Sequence, residues 1–332
     1  MKPCFSIPFN GDLRLLRDAL SSGKVSEVYF QGPSAADLST LTPPRRTSPT
    51  RRALRQMIGE CGKRQVKTNL LCNAASLFFF DFRKALRFLK TEKGIDAITV
   101  SDPYAARLFR QELPNHEIHA SIVMGLDSAA KVSAAAGLGI SEVNLSLCCN
   151  RDLEVLRAVR SLKRRLPGMR TRLIANHPCP GDCVFMPWHW LLDTFKDVFP
   201  DSSSFREGAP YRYEVCMRPH TTAEELLHVP FIRPEDCAFY VREGYADVIK
   251  LAFRDMPSER LRDIYDAYFS GRRSGDLWRI VDVSLHDGKK APACDNSRFP
   301  KGFLQHVLSC GKDCPSCGYC ARLAKRVMGQ GS

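Results

Sequence analysis

The stretch EVNLSLCCNRDLEVLRAVRSLKRRLPGMRTRLIANHPC, residues 142–179, decides the fold class. Its two ends, 142–150 and 171–179, are rich in apolar residues and each finishes in turn formers, as expected of buried strands. Between them, residues 153–166 repeat apolar side chains at spacings of three and four, which is typical of an amphipathic helix. A strand, a helix and a second strand in this order predict a parallel sheet.

The same alternation extends in both directions along the chain. Segments of strand composition occur at 5–9, 27–32, 65–74, 96–103, 117–125 and 247–255, and helical patterns at 12–20, 82–89 and 258–269. Eight strands, each followed by a helix or an equivalent, close naturally into a (β/α)8 TIM-like barrel. A doubly wound open sheet is the alternative, and the barrel is favoured because no G-x-G-x-x-G follows the first strand.

The domain organisation follows from the long connections. We predict a barrel over residues 1–285, with a long irregular seventh connection that forms an insertion at 176–240. From residue 286 the strand and helix pattern has decayed. Residues 286–332 are expected to form a cysteine-rich C-terminal extension that binds metal.

Composition indicates whether the chain spans a membrane, where it is located and how its cysteines are used. No run of about 18 apolar residues exists, so no membrane span is expected. The first residues lack the apolar segment of a signal peptide, which predicts a cytoplasmic protein. Fourteen cysteines in a reducing compartment favour metal binding or redox chemistry over disulfides.

The net charge of +13 is concentrated in two basic stretches, residues 45–67 and 157–172. Such stretches suit phosphate-bearing partners, so RNA is one expected partner. The alternative is that they are solvated helix faces, and no known RNA-binding signature accompanies them.

Four cysteines surround the end of the seventh strand. Cys179 and Cys183 lie in HPCPGDC, where Pro180 and Gly181 predict a tight turn, and Cys216 and Cys237 lie in the connection before the eighth strand. Barrel sites form at the carboxyl ends of strands. Four thiolates there would suit a tetrahedral zinc or a cubane iron–sulfur cluster, and the alternative is buried cysteines used for packing.

A second cysteine set closes the chain. The run CGKDCPSCGYC places Cys310, Cys314, Cys317 and Cys320 within eleven residues, for which packing gives no reason. We predict a second metal centre here, holding either zinc or an iron–sulfur cluster. The first three cysteines also have the spacing of radical-SAM enzymes, although in those the triplet follows the first strand. Cys72, Cys148 and Cys149 are expected to pack near strand ends.

Three further side chains are candidate catalytic residues. Lys250 and Arg254 lie four apart on the predicted eighth strand, so they share one face. Inside a barrel these cations need an anionic partner, either a substrate carboxylate or an internal acid such as Asp102. His177, beside the first cysteine pair, is a candidate for proton transfer.

Residues 173–271 carry a recognisable pattern. The segments LIANHPCPGDC, MPWHW, CMRPH and FIRPEDCAFYVREGYADVIKLAFRDMPSERLRDIYDAYFSG resemble the collagenase-like peptidase family U32. That family includes the anaerobic ubiquinone-biosynthesis proteins and the tRNA and rRNA hydroxylation proteins. The resemblance covers nearly the whole chain, and the final cysteine run resembles the terminal motif of one subgroup.

The resemblance implies a barrel-like fold and a [4Fe-4S] cluster on Cys179, Cys183, Cys216 and Cys237. It also implies oxygen-independent hydroxylation, or a related redox modification, of a small molecule or RNA. The family's Lys-x-x-Gly-Arg element corresponds to Lys250 and Arg254, with Phe253 in place of the glycine. The implied partners are a small anionic, prephenate-like substrate, RNA and a protein of the same family.

Two alternatives remain at this stage. The chain could be a non-catalytic partner in which metal stabilises the long connection and the basic helices bind RNA or protein. It could also be a peptidase, as the family name suggests. Neither G-x-S-x-G nor H-E-x-x-H occurs in the sequence to support that activity.

Overall fold

The computed structural model describes residues 2–33, 49–73, 82–181, 183–187, 190, 222–281, 283 and 291–328. These residues form eight parallel strands in chain order, and pairing of the last strand with the first closes the barrel. This confirms the predicted (β/α)8 barrel and excludes the open sheet. The strands are β1 (Phe5–Pro8), β2 (Val25–Gln31), β3 (Lys67–Cys72), β4 (Ala97–Val100), β5 (Glu117–Ala120), β6 (Glu142–Asn144), β7 (Arg170–Ile174) and β8 (Val248–Lys250).

Helices surround the barrel and continue beyond it. Three of them begin at an aspartate N-cap, Asp12, Asp102 or Asp152, whose carboxylate accepts a backbone N–H of the first turn. None of the described helices is long and apolar enough to cross a membrane. They are α1 (Leu13–Ser21), α2 (Arg51–Gly62), α3 (Phe82–Thr91), α4 (Pro103–Glu112), α5 (Ala129–Gly137), α6 (Leu153–Lys163), α7 (Cys237–Arg242), α8 (Ser258–Ser270), α9 (Trp278–Val281), α10 (Phe303–Leu308), α11 (Cys314–Cys317) and α12 (Tyr319–Val327).

Several strands end earlier than the sequence predicts. After β6, residues Leu147–Arg151 form a 3-10 helix, although their apolar composition predicts strand. Strand β8 ends at Lys250, so Arg254 lies in the following loop and not on the strand as expected. The residues beyond these strand ends are apolar because they are buried at the barrel mouth, not because they pair in the sheet.

The apolar core lies between the strands and the helices. Ile7, Leu70, Ile98, Ile118 and Val143 point outward from the barrel into this layer and are completely buried. Burial of each such side chain contributes about 1.5–3 kcal/mol. Since alternate residues of a strand face opposite sides, the opposite set faces the barrel interior.

The C-terminal extension packs into the same core. Phe303, Val307, Leu323 and Val327 are nearly fully buried and belong to the cluster that contains the outward-facing strand residues. The backbone of Asp295 donates to the carbonyl of Val327 at 2.8 Å. The described part of the extension is therefore continuous with the barrel rather than a separately packed tail.

Many basic residues of the two predicted stretches form surface ion pairs. On α2, Arg55 contacts Glu92 at 3.1 Å, and just beyond its end Arg64 contacts Glu60 at 2.9 Å. For part of the first basic stretch, residues 45–67, these pairs agree with the alternative that the basic residues form a solvated helix face. RNA binding stays a prediction.

Candidate functional site

Polar side chains fill the middle of the barrel, where bulky branched residues are usual. Each strand contributes one of them, and we call the set the polar layer. Except for Lys250, which is largely buried, its members are at most 2% exposed. They are Ser6, Glu27, Asn69, Thr99, His119, Glu142, Arg172 and Lys250.

Arg172 is the centre of the polar layer. Its guanidinium donates to both carboxylate oxygens of Glu27, at 2.6 and 2.8 Å, and also contacts the carboxylate of Glu142. Burial alone would raise the pKa of Glu27, but the charge and hydrogen bonds of Arg172 outweigh burial and hold that pKa well below its usual range. Glu27 and Arg172, which with Glu142 form an ion triad, are therefore charged at neutral pH.

His119 connects the ion triad to the lower rim of the barrel. One ring nitrogen lies 3.0 Å from Asn69 Nδ2 and 3.4 Å from Glu27 Oε2. The other lies 3.1 Å from Glu117, which pairs with Lys67 at the start of β3. The polar layer is thus hydrogen-bonded out to the amino ends of the strands.

Glu27, His119 and Glu142 also have the ligand types of a metal site. One ligand atom from each lies within 4.8 Å of the others, and within the described ranges they are the three-residue group that meets this distance. Arg172, however, already binds both carboxylates. The guanidinium supplies the positive charge that a metal would otherwise supply, so the residues do not fit a metal here.

Lys250 closes the polar layer on β8 and differs from the other ions. Its Nζ lies 4.1 Å from the ring centroid of Tyr29, a cation–π contact. No carboxylate of a described residue forms an ion pair with it, including Asp102, which caps α4. Burial, and secondly the charge of Arg172, lower the pKa of Lys250 to about 7.

Arg254 lies beyond Lys250 in the loop after β8, with Nε 3.3 Å from Gln31 Oε1. Between the two cations, Phe253 adopts a φ of +78°, a left-handed conformation that favours glycine. The backbone therefore keeps the conformation expected of the Lys-x-x-Gly-Arg element, although a phenylalanine occupies the glycine position. Such an outlier costs about 1–3 kcal/mol and is held by its surroundings.

His177 lies above Lys250 at the barrel mouth. Its Nδ1 accepts the backbone N–H of Cys179 at 3.2 Å, and its ring stacks on Phe253 with centroids 6.0 Å apart. Burial, and secondly the charge of Lys250, lower the pKa of His177 to about 4. At neutral pH the ring is therefore uncharged with its proton on Nε2.

The loop of Cys179 and Cys183 covers this part of the mouth. Cys179 packs on a small apolar cluster formed by Leu147, Ile174 and Ala252, and Cys183 is partly exposed. A Cβ on Gly181 would lie 2.9 Å from the backbone Cα of Cys148. This close approach requires glycine and fixes the loop against the turn after β6.

Substitution of Gly181 tests this packing. In Gly181→Ala the new methyl group meets backbone that cannot move away, so we expect a loss of about 1–3 kcal/mol in unfolding free energy. Gly59→Ala in α2 is the control, because its Cβ would meet no atom within 4 Å. Urea unfolding of both variants measures the difference, and equal stabilities would show that the contact is not required.

Of the other two residues of the first cysteine set, Cys237 is described by the structure. Cys237, the first residue of α7, is 1% exposed, and its thiol lies 3.6 Å from the carbonyl oxygen of Arg233. Burial raises its pKa well above the usual range. Cys216 lies outside the described residues. A shared centre of these four cysteines stays a prediction.

The second cysteine set lines one pocket of about 300 Å³. Cys310, Cys314, Cys317 and Cys320 form one side of it. The opposite side includes Cys148 and Gly181 from the barrel mouth, together with Arg151. The structure therefore places the C-terminal cysteines next to the loop that carries Cys179 and Cys183.

Apart from Lys250, the residues of the polar layer were not predicted from the sequence. A signal was present, because polar residues stand at alternate positions of EVYFQ, KTNLL, EIHAS and RTRLI. Parallel strands covered on both faces normally read as continuous apolar runs. Polar alternation in such strands therefore indicates a polar barrel interior.

Known proteins are similar to this chain in sequence or in fold. A model of peptidase family U32 matches residues 12–171. The uncharacterized protease MJ1657 of Methanocaldococcus jannaschii is 24% identical over 236 residues, which cover 71% of this chain and 67% of that protein. The structure of the U32 peptidase Mk0906 superposes with a TM-score of 0.52 at 14% identity, covering 75% of this chain and 92% of that chain.

The match to Mk0906 concerns the fold alone, because the identity is low. The family model and the archaeal relative concern the sequence. Together they support the resemblance to peptidase family U32, and the family model matches the part of the chain that precedes residues 173–271.

Proposed function

We propose that this chain is an iron–sulfur oxidoreductase that binds a small carboxylate-bearing molecule at the barrel mouth. The reaction we propose is oxygen-independent hydroxylation, or a related redox modification, of a small molecule or RNA. A prephenate-like anion fits the proposed carboxylate site. The cluster, when bound, would supply electron transfer.

The observation that carries this proposal is the surroundings of Lys250. Both carboxylates of the polar layer are bound by Arg172, and Lys250 contacts an aromatic ring instead. A buried ammonium without an anion is unfavourable, and it either loses its proton or acquires an anionic partner. A substrate carboxylate that reaches Lys250 and Arg254 would be that partner.

The residues above Lys250 suit a ligand site. His177 offers an uncharged ring whose Nε2 carries a proton, so it can donate a hydrogen bond without adding positive charge. Phe253, Ile174 and Ala252 form an apolar wall that limits water at the mouth. Exclusion of water strengthens the attraction between a carboxylate and the two cations.

The first cysteine set fits a cluster in part. Cys179 and Cys183 lie on one loop whose sulfurs can face a common centre, and the donor type suits iron. Cys237 is a core residue in this structure, so its participation requires that its thiol exchange the carbonyl of Arg233 for a metal. Cys216 would complete the set.

Iron and sulfide contents test the cluster. We expect anaerobically purified protein to be brown and Cys179→Ala, Cys183→Ala, Cys216→Ala and Cys237→Ala each to lose the same centre. Cys4→Ala is the control for an exposed thiol and Cys294→Ala the control for a buried one. Full iron and sulfide in two or more of the four variants would contradict the assignment.

The names of the two relatives describe proteases, and peptidase activity is therefore the alternative outcome. A peptidase would cleave peptides in clean preparations regardless of iron content. A non-catalytic RNA- or protein-binding partner would carry metal but show no response to small carboxylates. Assays of peptide cleavage and carboxylate binding on the same preparation separate the three functions.

A further inference from the structure

The C-terminal cysteines form a compact loop with two unusual backbone conformations. Lys312 has a φ of +61°, and its N–H lies 3.4 Å from the sulfur of Cys310. Gly318, directly after the single-turn helix α11, has a φ of +60° and turns the chain toward Cys320. These two turns lie in a short loop whose four cysteines line one pocket, and the turn at Lys312 costs strain.

Arg151 faces these cysteines across the pocket and is buried, with 9% exposure. Its Nη1 donates to the carbonyl of Leu227 at 2.6 Å, and its guanidinium lies over the rings of Phe231 and Phe303. Its Nε and Nη2 are buried without a hydrogen-bond partner. This is a costly state for a charged group.

No carboxylate among the described residues pairs with Arg151. Asp236 instead accepts two hydrogen bonds from Arg233, at 2.8 and 3.0 Å. The pocket that Arg151 shares with the four cysteine thiols is also lined by two carboxylates, those of Glu224 and Glu225. Four thiolates around a divalent metal ion carry a net charge of about −2, which would balance this cation.

We infer that Cys310, Cys314, Cys317 and Cys320 hold a tetrathiolate metal centre whose negative charge is balanced by the buried guanidinium of Arg151. The occupant is a thiophilic metal, either zinc or an iron–sulfur cluster. This inference does not depend on the proposed function, because it uses a different cysteine set.

The distances between the four sulfurs can be compared with those required around a single zinc ion. Around one zinc ion, with Zn–S bonds of about 2.3 Å, sulfurs lie at most about 4.6 Å apart. Among the described residues, no three of these sulfurs lie within 4.8 Å of one another. Binding of one zinc ion would therefore have to draw the cysteines together, and analysis of metal and sulfide decides between the two occupants.

Point substitutions are the appropriate test, because truncation before residue 303 would remove core residues such as Phe303 and Val327. Cys314 and Cys317 are exposed, so Cys314→Ser and Cys317→Ser should fold normally. We expect each to lose one centre, measured as zinc, iron and acid-labile sulfide per chain after anaerobic purification. Cys179→Ala should retain that centre. Iron with sulfide would identify a cluster, and zinc alone a zinc site.

Arg151→Gln tests the charge balance. We expect a roughly 10- to 100-fold loss of apparent metal affinity in competition with a chelator, the size typical for outer-shell partners of metal sites. Arg151→Lys, which keeps the charge, should recover most of it. Arg160→Gln is the control, since that guanidinium lies over Tyr245 and outside the pocket.

Two results would overturn the inference. One is wild-type metal content in both Cys314→Ser and Cys317→Ser. The other is a chelator competition curve for Arg151→Gln that matches that of Arg160→Gln.

Discussion

Lys250→Met is expected to stabilise the ligand-free protein and to abolish binding of small carboxylates. Burial lowers the pKa of Lys250 from its ordinary value of 10.5 to about 7. Keeping Lys250 charged in the folded protein at neutral pH therefore costs several kcal/mol of stability, because each unit by which the pKa is lowered corresponds to about 1.4 kcal/mol. Methionine has similar length and removes this cost.

The pH dependence gives the sign of this effect. Between pH 7 and 10.5 the unfolded chain holds a proton on Lys250 that the folded protein does not, so wild-type stability rises with pH in this window. The difference in unfolding free energy between Lys250→Met and wild type should therefore be largest below pH 7 and should decrease as the pH rises toward 10.5. Carboxylate binding should strengthen in wild type as pH falls toward 7, because the ammonium is the binding form.

Thermal melts with and without prephenate or other small dicarboxylates measure both effects. Lys90→Met is the control, because Lys90 is exposed and pairs with Glu112 on the surface. A large loss of stability in Lys250→Met, combined with no ligand-induced shift in wild type, would show that Lys250 belongs to a structural ion pair.

Arg172→Met should have the opposite effect and strongly destabilise the barrel. The substitution leaves Glu27 and Glu142 buried without their guanidinium partner. Removal of one member of a buried ion pair costs about 3–5 kcal/mol. Urea unfolding at neutral pH measures the loss.

Two comparisons make this prediction specific. Addition of Glu27→Gln and Glu142→Gln to Arg172→Met should restore much of the stability, because the stranded charges are removed. Arg170→Met is the control, since Arg170 contacts Glu142 at 3.3 Å from a partly exposed position. A stability of Arg172→Met close to that of Arg170→Met would mean that the ion triad contributes little.

The fold was predictable because its signals are local. Strand and helix composition alternate along the chain, and aspartates mark helix starts at Asp12, Asp102 and Asp152. Strand ends were not predictable, since burial at the mouth selects apolar residues just as pairing does. Thus 147–151 and 251–255 have strand-like composition but form a 3-10 helix and a loop.

The site was predictable only where one residue type carries the chemistry. Lys250, His177 and Cys179 lie near one another at the carboxyl ends of their strands, where the sequence places them, and their role in a site stays a prediction. The polar layer depends on which face of each strand points inward, and Arg151 depends on contacts between the turn after β6 and the distant C-terminal extension. In neither case does the local sequence show which residues will be in contact.

The packing of the C-terminal extension has a consequence for synthesis of the protein. The barrel cannot close until β8 has emerged from the ribosome to pair with β1. Its core stays incomplete until Leu323, Val327 and Met328 have emerged as well. The nascent chain therefore exposes apolar surface of the barrel until these residues have been made and have packed against it.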